Sequence, residues 1–267
     1  MRPKGDEAGV EPPYQSDPTW YRLLNDPDSG FAAGRGFFKM IPSSPRCKMC
    51  SAPFAGPGAP IMRMLDRGPW EKNPKICGLC FKQLEKARGG AEIELSMLFA
   101  DVRGSTGLAE SMGPGAFQKL LARFYREATD ALVASDGLVD KFVGDEVVAL
   151  FLPVLAGHDH AAHAIDAARD LFRSTGHGTQ AGPWIPLGAG VHTGLAYVGT
   201  VGDTVTDFTA LGDSVNVTAR LASAAAPGEI LVSAASATAA GLDPSLEART
   251  LTLRGRTEPL DVRVLHV

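Results

Sequence analysis

Two aspartates stand out by their surroundings. Asp101 ends the apolar run Leu98-Phe99-Ala100 and opens the small-residue turn Val102-Arg103-Gly104-Ser105-Thr106. Asp145 sits between two apolar runs, in Lys141-Phe142-Val143-Gly144-Asp145-Glu146-Val147-Val148. A carboxylate at the end of a buried strand is costly unless a cation or hydrogen bonds satisfy it. Two of them suggest one shared metal site, and hard oxygen ligands suit Mg²⁺ or Mn²⁺ with phosphate oxygens completing the shell. The turn through Gly104, Ser105 and Thr106 leads into a helix and offers backbone amides to those phosphates. Taken alone, an Asp before a turn is more often a turn former or a cap. A second pair, Asn216 and Arg220, lies four apart and so on one helical face, just behind Asp207-Phe208-Thr209-Ala210-Leu211. The plainer reading of that pair alone is an exposed amide and a surface arginine.

The four cysteines form two pairs, Cys47-Lys48-Met49-Cys50 and Cys77-Gly78-Leu79-Cys80, with residues 51–76 between them. Two such knuckles can supply four thiolates to one tetrahedral Zn²⁺ as a structural site, and the helical pattern after the second pair resembles a treble-clef finger. An iron–sulfur cluster or a redox dithiol is the alternative. His158, His160 and His163 sit around a helix start, where solvated or capping roles are favoured over metal ligation; His192, inside a strand, reads as packed.

The elements that must hold these groups are legible as alternating periodicities. Residues 1–45 are rich in Pro, Gly and Asp and read as irregular, with a short helix near 20–25. The cysteine segment, 46–90, closes in a short helix over 81–86 before Gly89-Gly90. Strands are expected at 95–100, 186–192, 195–198, 207–211, 247–253 and 259–265, the last two around Arg254-Gly255-Arg256-Thr257. A hairpin is expected over 138–151 with Gly144-Asp145 at its turn, and helices over 117–132, 159–173 and 214–224, the last capped by Asp213. The apolar positions from Phe117 to Leu132 read as core. Strand, helix, hairpin, helix, strand is the split βαβ arrangement, so the expected fold class is α+β: a ferredoxin-like βαββαβ core with added strands over 91–267, preceded by a small four-cysteine metal-binding module.

With 267 residues, 45% of them hydrophobic, the chain can bury a proper core. A formal net charge of -4 gives no case for general nucleic-acid binding, and the basic residues around the cysteines (Arg46, Lys48, Arg63, Arg67, Lys72, Lys75) are moderate in number. The start, Met1 to Glu7, lacks the apolar stretch of a signal peptide, and no run approaches the roughly 18 apolar residues of a membrane span. No membrane association and a cytoplasmic location are therefore expected.

Four segments then carry a resemblance. Phe99 to Thr106, Asp140 to Glu146, Gly190-Val191-His192-Thr193-Gly194 and Phe208 to Leu221 resemble, in order and spacing, the class III nucleotidyl cyclase catalytic domain, over about 92–267. The resemblance implies conversion of ATP to cyclic AMP and pyrophosphate. Asp101 and Asp145, with the Val102 carbonyl, would hold two divalent cations, Mg²⁺ or Mn²⁺. Arg220 would neutralise charge growing on the α-phosphate and Asn216 would orient the ribose. Lys141 would donate to adenine N1. Thr209 takes the position where many adenylyl cyclases place Asp, and since a hydroxyl can donate or accept, it would discriminate adenine from guanine less strictly. The resemblance also implies a homodimer, metal aspartates from one protomer and Lys141, Thr209, Asn216 and Arg220 from the other. Where some members carry a phosphate-contacting arginine on the fourth strand, this chain has Leu187-Gly188-Ala189, so Arg103 or another basic residue must substitute or the contact is absent. The alternatives in other classes are a cyclase-like regulator that binds nucleotide or a partner without turnover, and a zinc finger that binds DNA.

Overall fold

In the computed structural model, residues 17–26, 35–71, 73–202, 207–252 and 258–267 are described. The first described element is α1 (Pro18–Asn25), where Asp17 caps by accepting from the Thr19 amide at 2.8 Å and proline occupies the first turn. Then come α2 (Arg35–Met40), α3 (Ala59–Met64), the hairpin β1 (Pro69–Trp70) and β2 (Asn73–Cys77), and α4 (Gly78–Lys86). The larger part follows: β3 (Gly90–Val102), α5 (Ser105–Met112), α6 (Pro114–Ala134), β4 (Leu138–Val143), β5 (Glu146–Phe151), α7 (Pro153–Ala156), a 3-10 turn Gly157–Asp159 and α8 (His160–Ser174). It closes with β6 (Leu187–Val201), β7 (Asp207–Leu211), α9 (Asp213–Ala224), β8 (Glu229–Ser233), α10 (Ala234–Ala239), β9 (Ala248–Leu251) and β10 (Leu260–His266).

The strands of the larger part form one mixed sheet in the order β4-β5-β3-β6-β8-β10-β9, with β7 pairing to β6. Its first four strands, antiparallel throughout, give the ferredoxin-like order, and the parallel β6–β8 pair begins the added strands. From Leu95 to Ala100 β3 is buried on both faces, and apolar there except for Ser96. Leu95, Met97 and Phe99 join one core, while Leu98, Ala100 and Val102 join the core under α6 and α8. The first face carries α9, α1 and the cysteine segment.

That arrangement corrects several expectations. The strands expected at 186–192 and 195–198 are one strand, β6, which runs without a break opposite β3 from Leu187↔Val102 to Gly199↔Gly90. Asp213 is the first residue of α9 and not its cap; Gly212 holds that place, with no side-chain cap. β8, α10, α2, α3 and the β1–β2 hairpin have no counterpart among the expected elements. The core reading of α6 holds fully for Phe124, Ala128 and Leu132, which are buried; Leu120, Leu121 and Tyr125 are half-buried against the same core, and half-buried Phe117 lines an apolar cavity of about 410 Å³ with Leu121, Ala109 and Tyr125. The end of the strand expected at 247–253 and the turn 254–257 lie outside the described residues.

Candidate functional site

Register brings the two aspartates together. Asp101 lies opposite Glu146 on β5, and the Val102 amide donates to the Asp145 carbonyl at 3.3 Å, so the β4–β5 turn folds over the end of β3. Gly144 makes that turn with φ of 61°, a conformation that favours glycine. The Asp101 and Asp145 carboxyls come within hydrogen-bonding influence of each other; burial, then Asp145, pushes the Asp101 carboxyl above its ordinary value against the pull of Arg103. Glu146 is pushed up to about 7, by burial first and then by the charges of Asp101 and Asp145. Asp101 and Asp145, with Glu146 near enough to feel both charges, crowd hard oxygens at the ends of two strands; a divalent cation would relieve that repulsion, so Asp101 and Asp145 fit such an ion. Glu146 escapes sequence reading because its position beside Asp101 depends on strand register.

Arg103 completes this corner. Its Nη2 donates to Asp101 Oδ2 at 2.5 Å and its Nη1 reaches the carbonyls of Ser223 and Ala225, at 3.3 and 3.4 Å, at the end of α9. The guanidinium lies across Gly188: a Cβ at that glycine would sit 2.9 Å from Arg103 Nε. A side chain at 188 would displace it. Gly104 takes φ of 69° and starts α5, whose first-turn amides at Ser105 and Thr106 have no side-chain cap.

A second group forms on β4 and β7. Lys141 Nζ lies 3.0 Å from Asp207 Oδ2 and 3.7 Å from Asp140 Oδ2. Burial disfavours its charge, but the two carboxylates outweigh this and hold its pKa above the ordinary value. Thr209 Oγ1 donates to Asp140 Oδ2 at 2.9 Å. Asp140, Lys141 and Asp207 line a cavity of about 590 Å³ to which Glu71 of the cysteine segment also contributes. Asn216 is exposed and Arg220 half-buried on α9, and among the described residues neither makes a side-chain hydrogen bond or ion pair. Among the described residues no hydrogen bond or ion pair joins the Asp101 group to the Lys141 group either.

The four cysteine sulfurs are buried and lie within 4.8 Å of one another, a cluster that could hold a metal ion. Cys47 and Cys80 sulfurs are 4.0 Å apart and those of Cys50 and Cys77 3.7 Å, so these are not disulfides. The Cys77 amide donates to Cys47 Sγ at 3.2 Å, the Cys80 amide to Cys77 Sγ at 3.4 Å, and Arg67 Nη1 to Cys50 Sγ at 3.5 Å. Donors aimed at sulfur favour thiolates, which is what a metal ligand must be. Among the described residues the histidines do not join any such cluster. His160, expected at a solvated helix start, is buried and its Nδ1 pairs with Ser96 Oγ at 2.8 Å, while His163 Nδ1 meets the Ser135 carbonyl at 2.9 Å. His192 pairs with Ser233 Oγ at 2.9 Å, a packed role.

The family model described as "Adenylate and Guanylate cyclase catalytic domain" matches residues 91–258. The chain is 36% identical over 134 residues to an adenylate cyclase of Anabaena cylindrica, covering 48% of this chain and 26% of that protein. It is 30% identical over 135 residues to adenylate cyclase 1 of Rhizobium meliloti (strain 1021), covering 48% and 20%. Two solved structures are similar at a TM-score of 0.57: the guanylyl cyclase Cya2, 28% identical over 66% of this chain and 93% of that one, and the adenylyl cyclase CyaB from P. aeruginosa, 27% identical over 67% and 96%. The chain thus spans about a quarter of the length of those two curated relatives. Among the described residues no helix is long and apolar enough to cross a membrane.

Proposed function

The chain belongs to the adenylate and guanylate cyclase catalytic-domain family, and from that premise we propose that it converts ATP to 3′,5′-cyclic AMP and pyrophosphate at a site shared by two copies of the chain. The observation that carries this reading is the meeting of Asp101 with Asp145, and of Glu146 with both, at the ends of β3 and β5. Divalent cations, Mg²⁺ or Mn²⁺, held there by Asp101, Asp145 and the Val102 carbonyl would lower the pKa of the ribose 3′-hydroxyl and screen the triphosphate. The 3′ oxygen gives its proton to solvent water and bonds to the α-phosphorus, the bond from that phosphorus to the α,β-bridging oxygen breaks, and pyrophosphate leaves. Asn216 orients the ribose, and Arg220, with no competing ion pair among the described residues, meets the charge that grows on the α-phosphate. The amides of Gly104, Ser105 and Thr106 and the Arg103 guanidinium, which takes the space above Gly188, receive phosphate oxygens.

Lys141 and Thr209 would hold the purine, the ammonium donating to adenine N1. Two features support a partner copy. No hydrogen bond or ion pair among the described residues joins the Lys141 group to the Asp101 group within one chain. Phe117, Leu121 and the exposed Val143 also leave apolar surface around the metal hairpin for a second chain to cover. We divide the chain into an N-terminal segment (1–45), a four-cysteine module (46–90) and the catalytic domain (91–267), and assign structural Zn²⁺ to the module. A Zn–S bond of about 2.3 Å puts tetrahedral thiolates about 3.8 Å apart, which suits the sulfur separations of 3.7 and 4.0 Å better than an iron–sulfur cluster several atoms wide.

The test is cyclic AMP formation from ATP by the purified chain with Mn²⁺ or Mg²⁺. Turnover abolished by Asp101→Asn would support the reading. ATP binding without product from a folded dimer would leave the regulatory alternative in its place.

A further inference from the structure

The Thr209 hydroxyl does not stand free to donate or accept. It donates to Asp140 Oδ2 at 2.9 Å, across 69 residues of sequence. Both partners are enclosed: Thr209 is 7% exposed and the Asp140 side chain 4%. Burial pushes the Asp140 carboxyl above its ordinary value, against the pull of Thr209 and Lys141; in its ionised form it can only accept, and a hydroxyl has a single proton. With that proton committed to Asp140, Thr209 Oγ1 has only lone pairs left for a ligand. Asp140 is held in turn by the Lys141 ammonium at 3.7 Å, and its other oxygen, Oδ1, is buried with no hydrogen-bond partner among the described residues. A buried polar atom left unpaired is expensive, so Asp140 costs the fold stability where it stands.

Resting on the cyclase reading above, we propose that Asp140 is the positioning residue for purine selection: by accepting from Thr209 it turns an ambivalent hydroxyl into an obligate acceptor facing the base. Adenine presents an N6 amino donor beside an N1 acceptor, and guanine presents an O6 acceptor beside an N1–H donor. Lys141 donates and Thr209 accepts, so adenine matches at both positions and guanine clashes at both. Asp140 thus restores, through a second side chain, the acceptor that a carboxylate at position 209 would supply directly. The looser discrimination expected from a free threonine hydroxyl is thereby removed.

The experiment compares kcat/KM for ATP and GTP, with Mn²⁺, in the full chain and in Asp140→Asn, Thr209→Ser, Thr209→Val and the Asp140→Asn/Thr209→Val double variant. The amide introduced by D140N can donate to Thr209 and so frees its proton for guanine O6. D140N is expected to lower the ATP:GTP ratio by about tenfold or more, the scale of one hydrogen bond in a buried site, with the gain falling on GTP. T209S should keep the native ratio, and D140N should add nothing in the T209V background, where the hydroxyl is already gone. A folded D140N chain with an unchanged ratio, or with both nucleotides slowed equally, overturns the proposal; should D140N fail to fold, Asp140→Ser makes the same test with the same outcomes. A native chain that makes neither cyclic nucleotide with Mn²⁺ or Mg²⁺ sinks the cyclase reading itself, and this inference with it. A native chain active on ATP confines any failure to Asp140.

Discussion

At the residue scale, charge in the site is arranged against itself. Glu146 sits near a pKa of about 7 because burial and two neighbouring carboxylates disfavour its ionised form. The folded chain therefore holds that proton more tightly than the unfolded chain does. Below the ordinary value of 4.5 both states are protonated and Glu146 has no effect; between about 4.5 and about 7 the unfolded state gives up the proton first, and stability falls as pH rises. Glu146→Gln is expected to remove this slope, so the variant's Tm advantage over the native chain, measured without divalent metal, grows across that window and levels off above it. A constant difference at all pH values would show that Glu146 is not strained. Arg220 offers a complementary test on the kinetic side. Its guanidinium has no competing partner among the described residues, so Arg220→Ala should lower kcat by on the order of a hundredfold with little change in KM, as expected when an interaction made only in the transition state is removed. Asp101, Asp145, Lys141 and Thr209 are legible in sequence because each lies in a short local pattern. Asp140, Glu146 and the placement of Arg103 over Gly188 are not, since each depends on a partner from another strand.

At the element scale, the longest strands and one helix set the site's dimensions. α9 crosses β6 so closely that a Cβ at Gly190 would lie 2.4 Å from the Ala222 amide nitrogen and 2.6 Å from Leu221 Cβ. No side chain there can be accommodated without moving the helix that carries Asn216 and Arg220. Gly190→Ala should cost about 1–3 kcal/mol in unfolding by denaturant, and should lower turnover more than it lowers nucleotide affinity. β6 reads as two pieces in sequence because Thr193-Gly194 interrupts its apolar pattern. In the fold, Thr193 is opposite Ser96 and the two hydroxyls pair at 2.6 Å, and Thr193 continues to Ser236 at 2.9 Å. A buried polar chain running from His160 through Ser96 looks like a strand break until its partners, 64 and 97 residues from Ser96, are in place.

At the scale of the whole molecule, the cysteine module is built into the catalytic fold. Cys47, Cys50, Cys77 and Cys80 belong to the same hydrophobic cluster as Ile93, Leu95, Met97 and Phe99 of β3, and Trp20 stacks on Phe208 of β7 with ring centroids 6.3 Å apart. Polar ties reinforce the join: Lys48 Nζ lies 2.6 Å from Asp136, Lys75 also pairs with Asp136, and Asn73 Nδ2 donates to the Gly137 carbonyl at 3.0 Å. Burial would raise the Asp136 pKa, but hydrogen bonds from Lys48 and Lys75 outweigh it and hold the carboxyl low. Stripping the metal with a strong chelator, or Cys77→Ser, is therefore expected to lower the Tm of the entire chain in one transition, with close to one zinc per chain released by the native protein. Two separate transitions, with the catalytic part unmoved, would show the module to be independent.

The sequence by itself determined the chemistry available: a pair of metal-type aspartates, a lysine beside their turn, an amide and a guanidinium on one helical face, and four cysteines in two knuckles. It also determined the βαββαβ order, because helical and strand periodicities are properties of local sequence. Only the tertiary structure decided which of these groups meet. It placed Glu146 beside Asp101, laid Arg103 across Gly188, fused the cysteine module to the face of the sheet, and tied Thr209 to Asp140. The reason is physical: the electrostatics of a carboxylate and the direction of a hydroxyl's proton are set by neighbours within a few ångströms, and in a sheet those neighbours are chosen by strand register rather than by position along the chain.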